Sequence, residues 1–306
     1  MSSPNPAETA RASANRGLLF AVGAYGIWGF LPIYFHILSD VPALQILAHR
    51  IVWSVLLLGV LVFAFGRAGD IWRAARGRTL LMLCASAALI AVNWFVYIWS
   101  VETGHVLEAS LGYFINPLVN VALGMLVLGE RLRRWQGVAI AIAAVGVLAM
   151  ALEGGGAILI SLALAVSFGF YGLVRKVVAI DSLGGLTVET VLLIPFAAAW
   201  LIYTTGQGTN GFGVSTSQNA LLIAAGVITA TPLLLFASAA RLMPLSTLGL
   251  LQYIAPTLQF FVALALGEPL RTMHLIAFPL IWAGCALYAW DSIRAVRAPM
   301  PADTQA

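Results

Sequence analysis

Tyr113, Asn116, Asn120 and Gly124 stand at i, i+3, i+7 and i+11 of one apolar run. On a helix that spacing puts them on one face. A related run further along carries Gln252 and Gln259 around Pro256. Amides and phenols at this spacing bind organic molecules by hydrogen bonding and broad contact. They equally bond one helix to the next in a membrane, each worth well under 2 kcal/mol. Trp28, Asn93 and Tyr97 add an indole, an amide and a phenol from two other apolar runs. With the stripe residues Tyr113, Asn116, Asn120, Gln252 and Gln259 they form the candidate substrate-binding set.

Three ionisable residues also sit in apolar surroundings. Arg50 follows His49 about eight residues into one run, and Glu189 occupies the related place in another. A charge at the middle of a membrane helix costs about 2.5–3.5 kcal/mol on insertion scales, so such residues are functional candidates. His49, Arg50 and Glu189 are therefore the gating or proton-coupling candidates. Snorkelling of Arg50 to the surface is the competing account. Pro117 and Pro256 each free a backbone carbonyl one turn earlier, which a cavity water or a substrate can satisfy. Glu130 and Glu268 end their runs, where a carboxylate opposes the helix dipole. They are expected to accept hydrogen bonds from the amides that open the next helix, as structural corners.

Other chemistries are missing from the sequence. It holds no G-x-S-x-G, no H-E-x-x-H and no Walker-type glycine loop. His36, His49, His105 and His274 are scattered, Cys84 and Cys285 both lie in apolar runs, and no metal site or cofactor is expected. No loop is long enough to hold an ATP-hydrolysing domain.

The elements that must position these residues are membrane helices. The 306 residues are 61% hydrophobic and only 9% charged, against about a quarter charged in soluble domains. Runs near 17–36, 43–65, 79–101, 107–128, 135–152, 157–175, 184–203, 219–240, 245–266 and 273–292 each approach the roughly 20 residues that span a bilayer. The fold class read from this is an all-α polytopic membrane protein with ten transmembrane helices. Of 16 Lys and Arg, all but Arg50 and Arg271 fall on one side of that threading, so both termini are expected in the cytoplasm. The net charge of +4 is spread in short clusters, which argues against nucleic acid as a partner. The bilayer and a small organic substrate are the expected partners.

Leu111–Gly146 repeats at Leu250–Gly284, with Pro117/Pro256, Gly129/Gly267, Glu130/Glu268 and Arg133/Arg271 aligned. Five spans per unit is an odd number, so the second unit enters the membrane upside down. The expected organisation is a disordered tail over 1–16, a first five-helix repeat over 17–152, a second, inverted repeat over 157–292, and a tail over 293–306, with the seam at Glu153–Gly156. Inverted repeats are a transporter architecture, with substrate at the midplane between the halves.

The ten spans and the Gly-Glu-x-Leu corner resemble the EamA family of the drug/metabolite transporter superfamily. Tyr25–Phe30, Ala48-His49-Arg50 with Trp53-Ser54, Asn93-Trp94, Ser110–Leu118 and Leu251–Thr257 look more narrowly like its RarD group. The resemblance implies a secondary transporter of small metabolites or drugs in the cytoplasmic membrane, often an exporter. It implies no catalytic residues. The reading is alternating access around a midplane cavity, by facilitated diffusion or proton coupling. A membrane sensor or lipid scramblase on the same fold is the second reading, and an intramembrane enzyme the third.

Overall fold

The computed structural model describes residues 6–103, 105–153, 158–265 and 272–297. Every regular element among them is helical: α1 (Pro6–Ile37), α2 (Ala43–Ala64), α3 (Ala68–Ala74), α4 (Gly77–Glu102), α5 (Val106–Leu126), α6 (Arg134–Glu153), α7 (Ile158–Val177), α8 (Ser182–Gly206), α9 (Thr216–Leu242), α10 (Leu245–Leu251), α11 (Ile254–Ala265) and α12 (Thr272–Arg297). Ten spans are long and apolar enough to cross a membrane. The ninth is α10 and α11 together, α3 is a short surface helix, and each other helix is one span. Part of the N-terminal stretch expected to be disordered is helical, because Ala7, Ala10, Ala12 and Ala14 extend the first helix outward at little cost. The last helix likewise runs past 292 to Arg297. The expected seam at Glu153–Gly156 lies largely outside the described residues.

Exposed Leu, Val, Phe and Trp side chains cover the outside, among them Leu19, Phe63, Leu81, Leu126 and Phe196. Lipid takes the place of water there, so this apolar surface needs no cover. The interior is built from close approaches at small residues, as membrane helix packing requires. A Cβ on Gly226 of α9 would stand 2.5 Å from the Trp53 backbone of α2. Gly249 of α10 lies equally close to the Pro117 carbonyl of α5, and Gly284 of α12 to the Ala139 carbonyl of α6.

The principal pairings are α6 with α12, α5 with α7 and α10, α2 with α8 and α9, α1 with α9 and α11, and α4 with α7 and α8. Exchanging each span with the one five further along the chain maps this set onto itself. Pro117 leaves α5 continuous, whereas the chain breaks at Gln252-Tyr253 between α10 and α11. Gln252 carries the carbonyl that Pro256 cannot bond.

Gly226→Val is expected to lower the midpoint of thermal unfolding in detergent, at a cost of about 1–3 kcal/mol from overpacking. Gly59→Ala, at an exposed site with no atom within 4 Å of the added carbon, should not lower it. Scanning fluorimetry on the two purified variants checks this; equal midpoints would refute the close-packed seam.

Candidate functional site

Arg50 projects from α2 into a space shared by four other helices. Its Nε donates to Thr229 Oγ1 of α9 at 2.8 Å. Its guanidinium lies 5.7 Å from the Phe35 ring of α1 and 5.4 Å from the Trp94 ring of α4. The phenols of Tyr34, Tyr97 and Tyr113 are within electrostatic reach. The seam at Gly226 explains the placement: Ser54 Oγ donates to the Gly226 carbonyl at 3.2 Å, and Thr229 follows one turn later. Ring faces hold a desolvated cation for about 2 kcal/mol or more each. Among the described residues, no carboxylate forms an ion pair with Arg50.

The sequence-derived set divides around this point. Tyr97 and Tyr113 meet edge to face with centroids 5.8 Å apart, and both are half-buried. Trp28 is also half-buried, packed against Tyr25, Phe168 and Phe236. Gln259, half-buried, donates to the Trp28 carbonyl at 3.0 Å. The other four amides are buried in bonds between helices. Asn93 donates to the Leu164 carbonyl at 2.9 Å and to Ser167 Oγ at 3.0 Å. Asn116 donates to the Ala165 carbonyl at 2.7 Å. Asn120 Nδ2 bridges Asn116 Oδ1 at 3.2 Å and Gln252 Oε1 at 2.8 Å.

His49 faces the other way from Arg50. Its ring stacks on Phe212 of the α8–α9 loop, 5.5 Å between centroids, with the Asn210 side chain of the same loop beside it. Gln45, one turn earlier, clamps that loop by donating to the Thr209 carbonyl and accepting from the Gly211 amide, both at 2.7 Å. The loop is thereby strapped over the start of α2.

Glu189 has a partner that the sequence reading put elsewhere. Arg175, assigned there to a surface cluster, is fully buried at the end of α7. Its Nη1 lies 3.3 Å from Glu189 Oε1, which also accepts from Ser86 Oγ at 2.6 Å. Arg175 Nη2 donates to the Ser182 carbonyl. Gly185 gives the guanidinium its room, since a Cβ there would collide with it. The adjacency of Arg175 to Lys176 hid it, because paired basic residues read as the end of a span.

Glu130 forms a corner, but not with the next helix as expected. Gly129 adopts φ 66°, and the Glu130 amide turns back to the Gly124 carbonyl at 2.9 Å. The carboxylate thus reaches across to α10. There it accepts from the Leu245 amide at 2.7 Å, the Ser246 amide at 2.9 Å and Ser246 Oγ at 2.7 Å. The physical reason is that Pro244, at the N-cap of α10, offers no capping side chain, so those opening amides need an outside acceptor. Gly124 is required beneath: a Cβ there would stand 2.6 Å from the carboxylate. Lys176 Nζ is 4.0 Å from Glu130 and donates to the Ala240 carbonyl at 3.1 Å. Glu268 lies outside the described residues. Among those described, no three His, Cys, Asp or Glu side chains gather as a metal site.

A crevice of about 500 Å³ opens beside Arg50, between α2, α4 and α8. Leu47, Ile51, Ala88, Trp94, Leu193 and Phe196 line it. Thr229, Tyr34, Phe35, Ser86, Arg175 and Phe212 escaped sequence reasoning. Thr229 sits in an apolar run, and only the spacing from Gly226 marks it.

The EamA-like transporter family model matches residues 15–152. An uncharacterized transporter of Vibrio cholerae is 45% identical over 92% of this chain and 94% of its own length. Protein RarD of Escherichia coli is 44% identical over 91% and 95%. The chloramphenicol-sensitive protein RarD of Pseudomonas aeruginosa is 35% identical over 93% and 97%. A solved crystal structure at 20% identity has the same fold, with TM-score 0.70 over 91% of this chain and 99% of that one.

Glu189→Ala should cost about 3–5 kcal/mol, because it strands a buried guanidinium. Arg175→Met combined with Glu189→Met should recover much of that loss. Thermal unfolding of the two variants decides: a double variant no better than Glu189→Ala would show that the pair is not a closed unit.

Proposed function

We propose, from the premise that the chain belongs to the EamA-like transporter family and to its RarD-like group, that it is a secondary transporter of small organic molecules. It works in the cytoplasmic membrane, with both termini in the cytoplasm and net movement outward. Access alternates between the two sides through rocking of two inverted five-helix halves, 17–152 and 157–292. The self-mapping of the helix pairings under a five-span exchange supports the repeat. So do the joined ends of the spans: Arg67 pairs with Asp181 at 2.9 Å and Arg133 with Asp291 at 2.6 Å, on the face expected to meet the cytoplasm.

The observation that carries the reading is the cluster around Arg50, which draws side chains from α1, α2, α4, α5 and α9, hence from both halves, and in which, among the described residues, no carboxylate pairs with the cation. Trp28, Tyr97, Tyr113 and Gln259 line the path. Asn93, Asn116, Asn120 and Gln252 hold the helices that shape it. Glu189, matched to Arg50 in the repeat, holds α8 on α7 through Arg175. Pro256 supplies the break in the ninth span beside the path, and Glu130 and Pro117 shape the helices around it. The strap carrying Phe212 is the outer gate over His49.

The lateral crevice argues against lipid scrambling. A headgroup crossing the membrane needs a polar track, because each unsatisfied polar group in hydrocarbon costs several kcal/mol. The walls of this crevice are apolar along its length. Catalysis would need a nucleophile and base brought together at mid-depth, and Asn93, Asn116, Asn120, Ser86, Glu189 and Arg175 are engaged in binding helices instead.

The test is metabolite export from cells that overproduce the protein against cells that lack it. Compounds enriched outside the overproducing cells are expected, with Tyr113→Ala and Tyr97→Ala lowering the export rate about 10-fold or more at unchanged membrane abundance. Asn116→Ala should instead lower the abundance of folded protein. Indistinguishable media in overproducing and deletion cells would refute the transport reading.

A further inference from the structure

Arg175 and Arg50 both lie within candidate membrane spans, and they are treated oppositely. Arg175 is sealed, with a carboxylate at 3.3 Å and no exposed surface. Arg50 is half-buried and, among the described residues, has one hydrogen bond, from Nε to Thr229. That bond uses one of its five donors, and it fixes the plane of the guanidinium. The rings of Phe35 and Trp94 lie against it, but a ring face supplies no hydrogen-bond acceptor to the Nη groups. The neighbouring Tyr34 phenol is engaged, donating to the Leu221 carbonyl at 3.1 Å. Tyr97, on α4 with Trp94, meets Tyr113 of α5 edge to face, and a phenol donates as readily as it accepts.

A cationic fork tied at Nε and held between two aromatic rings, with a pair of phenols on α4 and α5, is complementary to an organic anion. We propose that the substrate is a monocarboxylate with an apolar or aromatic body, its carboxylate bound by the free Nη edge of Arg50 and by the phenols of Tyr97 and Tyr113. The proposal rests on the transport reading and names the substrate class of that same site. The charge count selects the class. One guanidinium, with no second cation paired to the site among the described residues, balances one negative charge. A phosphate monoester carries close to two, and its second charge would be unpaired at a depth where that is costly. The planar fork of arginine matches a carboxylate in two parallel hydrogen bonds. Trp94, Phe35 and Tyr97 then leave apolar surface for the remainder of the molecule, next to the crevice that Trp94 also lines.

The competing account makes Arg50 a structural tie between α2 and α9 through Thr229. The two accounts separate by charge selectivity. Purified protein is reconstituted in liposomes loaded with the small-molecule extract of a bacterial cytosol. Protein-dependent efflux at neutral pH is read by mass spectrometry, each species sorted by its net charge. The expected result is that monocarboxylates leave faster than from protein-free liposomes. Arg50→Gln should slow them about 30-fold or more. Arg50→Lys, which keeps the charge and loses the fork, should slow them about 10-fold. Thr229→Val, which releases the guanidinium but not its charge, should give a smaller loss and keep the preference for anions. Arg50→Gln that fails to fold is recognised by gel filtration, and the wild-type charge selectivity together with Arg50→Lys and Thr229→Val then decides. Efflux of neutral or cationic species in place of monocarboxylates would overturn the substrate class and leave the transporter standing. The same follows if monocarboxylates leave equally fast from folded Arg50→Gln. No protein-dependent efflux of any species would overturn transport itself, and the substrate class with it.

Discussion

Asn93 of α4 and Asn116 of α5 donate to consecutive carbonyls of α7, those of Leu164 and Ala165. Consecutive carbonyls on a helix sit about 100° apart around its axis, so α7 is gripped from two sides. In hydrocarbon there is no water to replace either bond, and a helix displaced from that grip leaves two amides unsatisfied. The rest of the inner structure follows from this constraint. Close approach of α5 and α7 is possible because a Cβ on Gly112 would meet the Ser161 carbonyl at 2.9 Å. Asn116 then passes the link through Asn120 to Gln252, which ties α5 to the break between α10 and α11. Each bond is worth on the order of 1 kcal/mol, but the chain of them fixes which faces turn inward.

The ten spans were legible because length and hydropathy alone decide what crosses a bilayer. The inward stripe of Tyr113, Asn116 and Asn120 was legible because helical spacing decides what shares a face. What the stripe does was not. An asparagine that lines a path and one that bonds a neighbour have the same spacing. The difference is whether a carbonyl of another helix lies within about 3 Å, and residue type does not mark a carbonyl as available. The corner at Glu130 shows the same limit. The sequence marks a carboxylate that local propensity does not explain, but its acceptor role is directed at Leu245 and Ser246 by a turn at Gly129 and by a proline at an N-cap. Gly129 stands beside it in the chain, but the proline at the N-cap, Pro244, is more than a hundred residues away.

Arg175 and Arg50 show why burial of charge needs coordinates to be interpreted. Both occupy apolar surroundings, and both carry the same penalty for leaving water. Arg175 offsets it with a carboxylate, a backbone carbonyl and the space above Gly185. That arrangement is closed to any ligand, although Arg175 Nε and Glu189 Oε2 are left without hydrogen-bond partners inside it. Arg50 offsets it with ring faces and one hydroxyl, which hold a cation while leaving its donors free. The adjacent Lys176 makes Arg175 resemble an anchor at the water interface, whereas Arg50 has His49 beside it and no Lys or Arg nearby.

The joint at Glu130 has a consequence for biogenesis. Its partners lie 115 and 116 residues further along the chain, so the ribosome delivers the acceptor well before the donors. Until Leu245 and Ser246 emerge, the carboxylate stays at the water boundary and α5 lacks its final neighbour. Insertion of the later spans therefore supplies the closing bonds of an earlier one. A chain stopped after α9 would hold a complete set of early helices with this joint open and, among the described residues, only Lys176 of α7 facing the carboxylate.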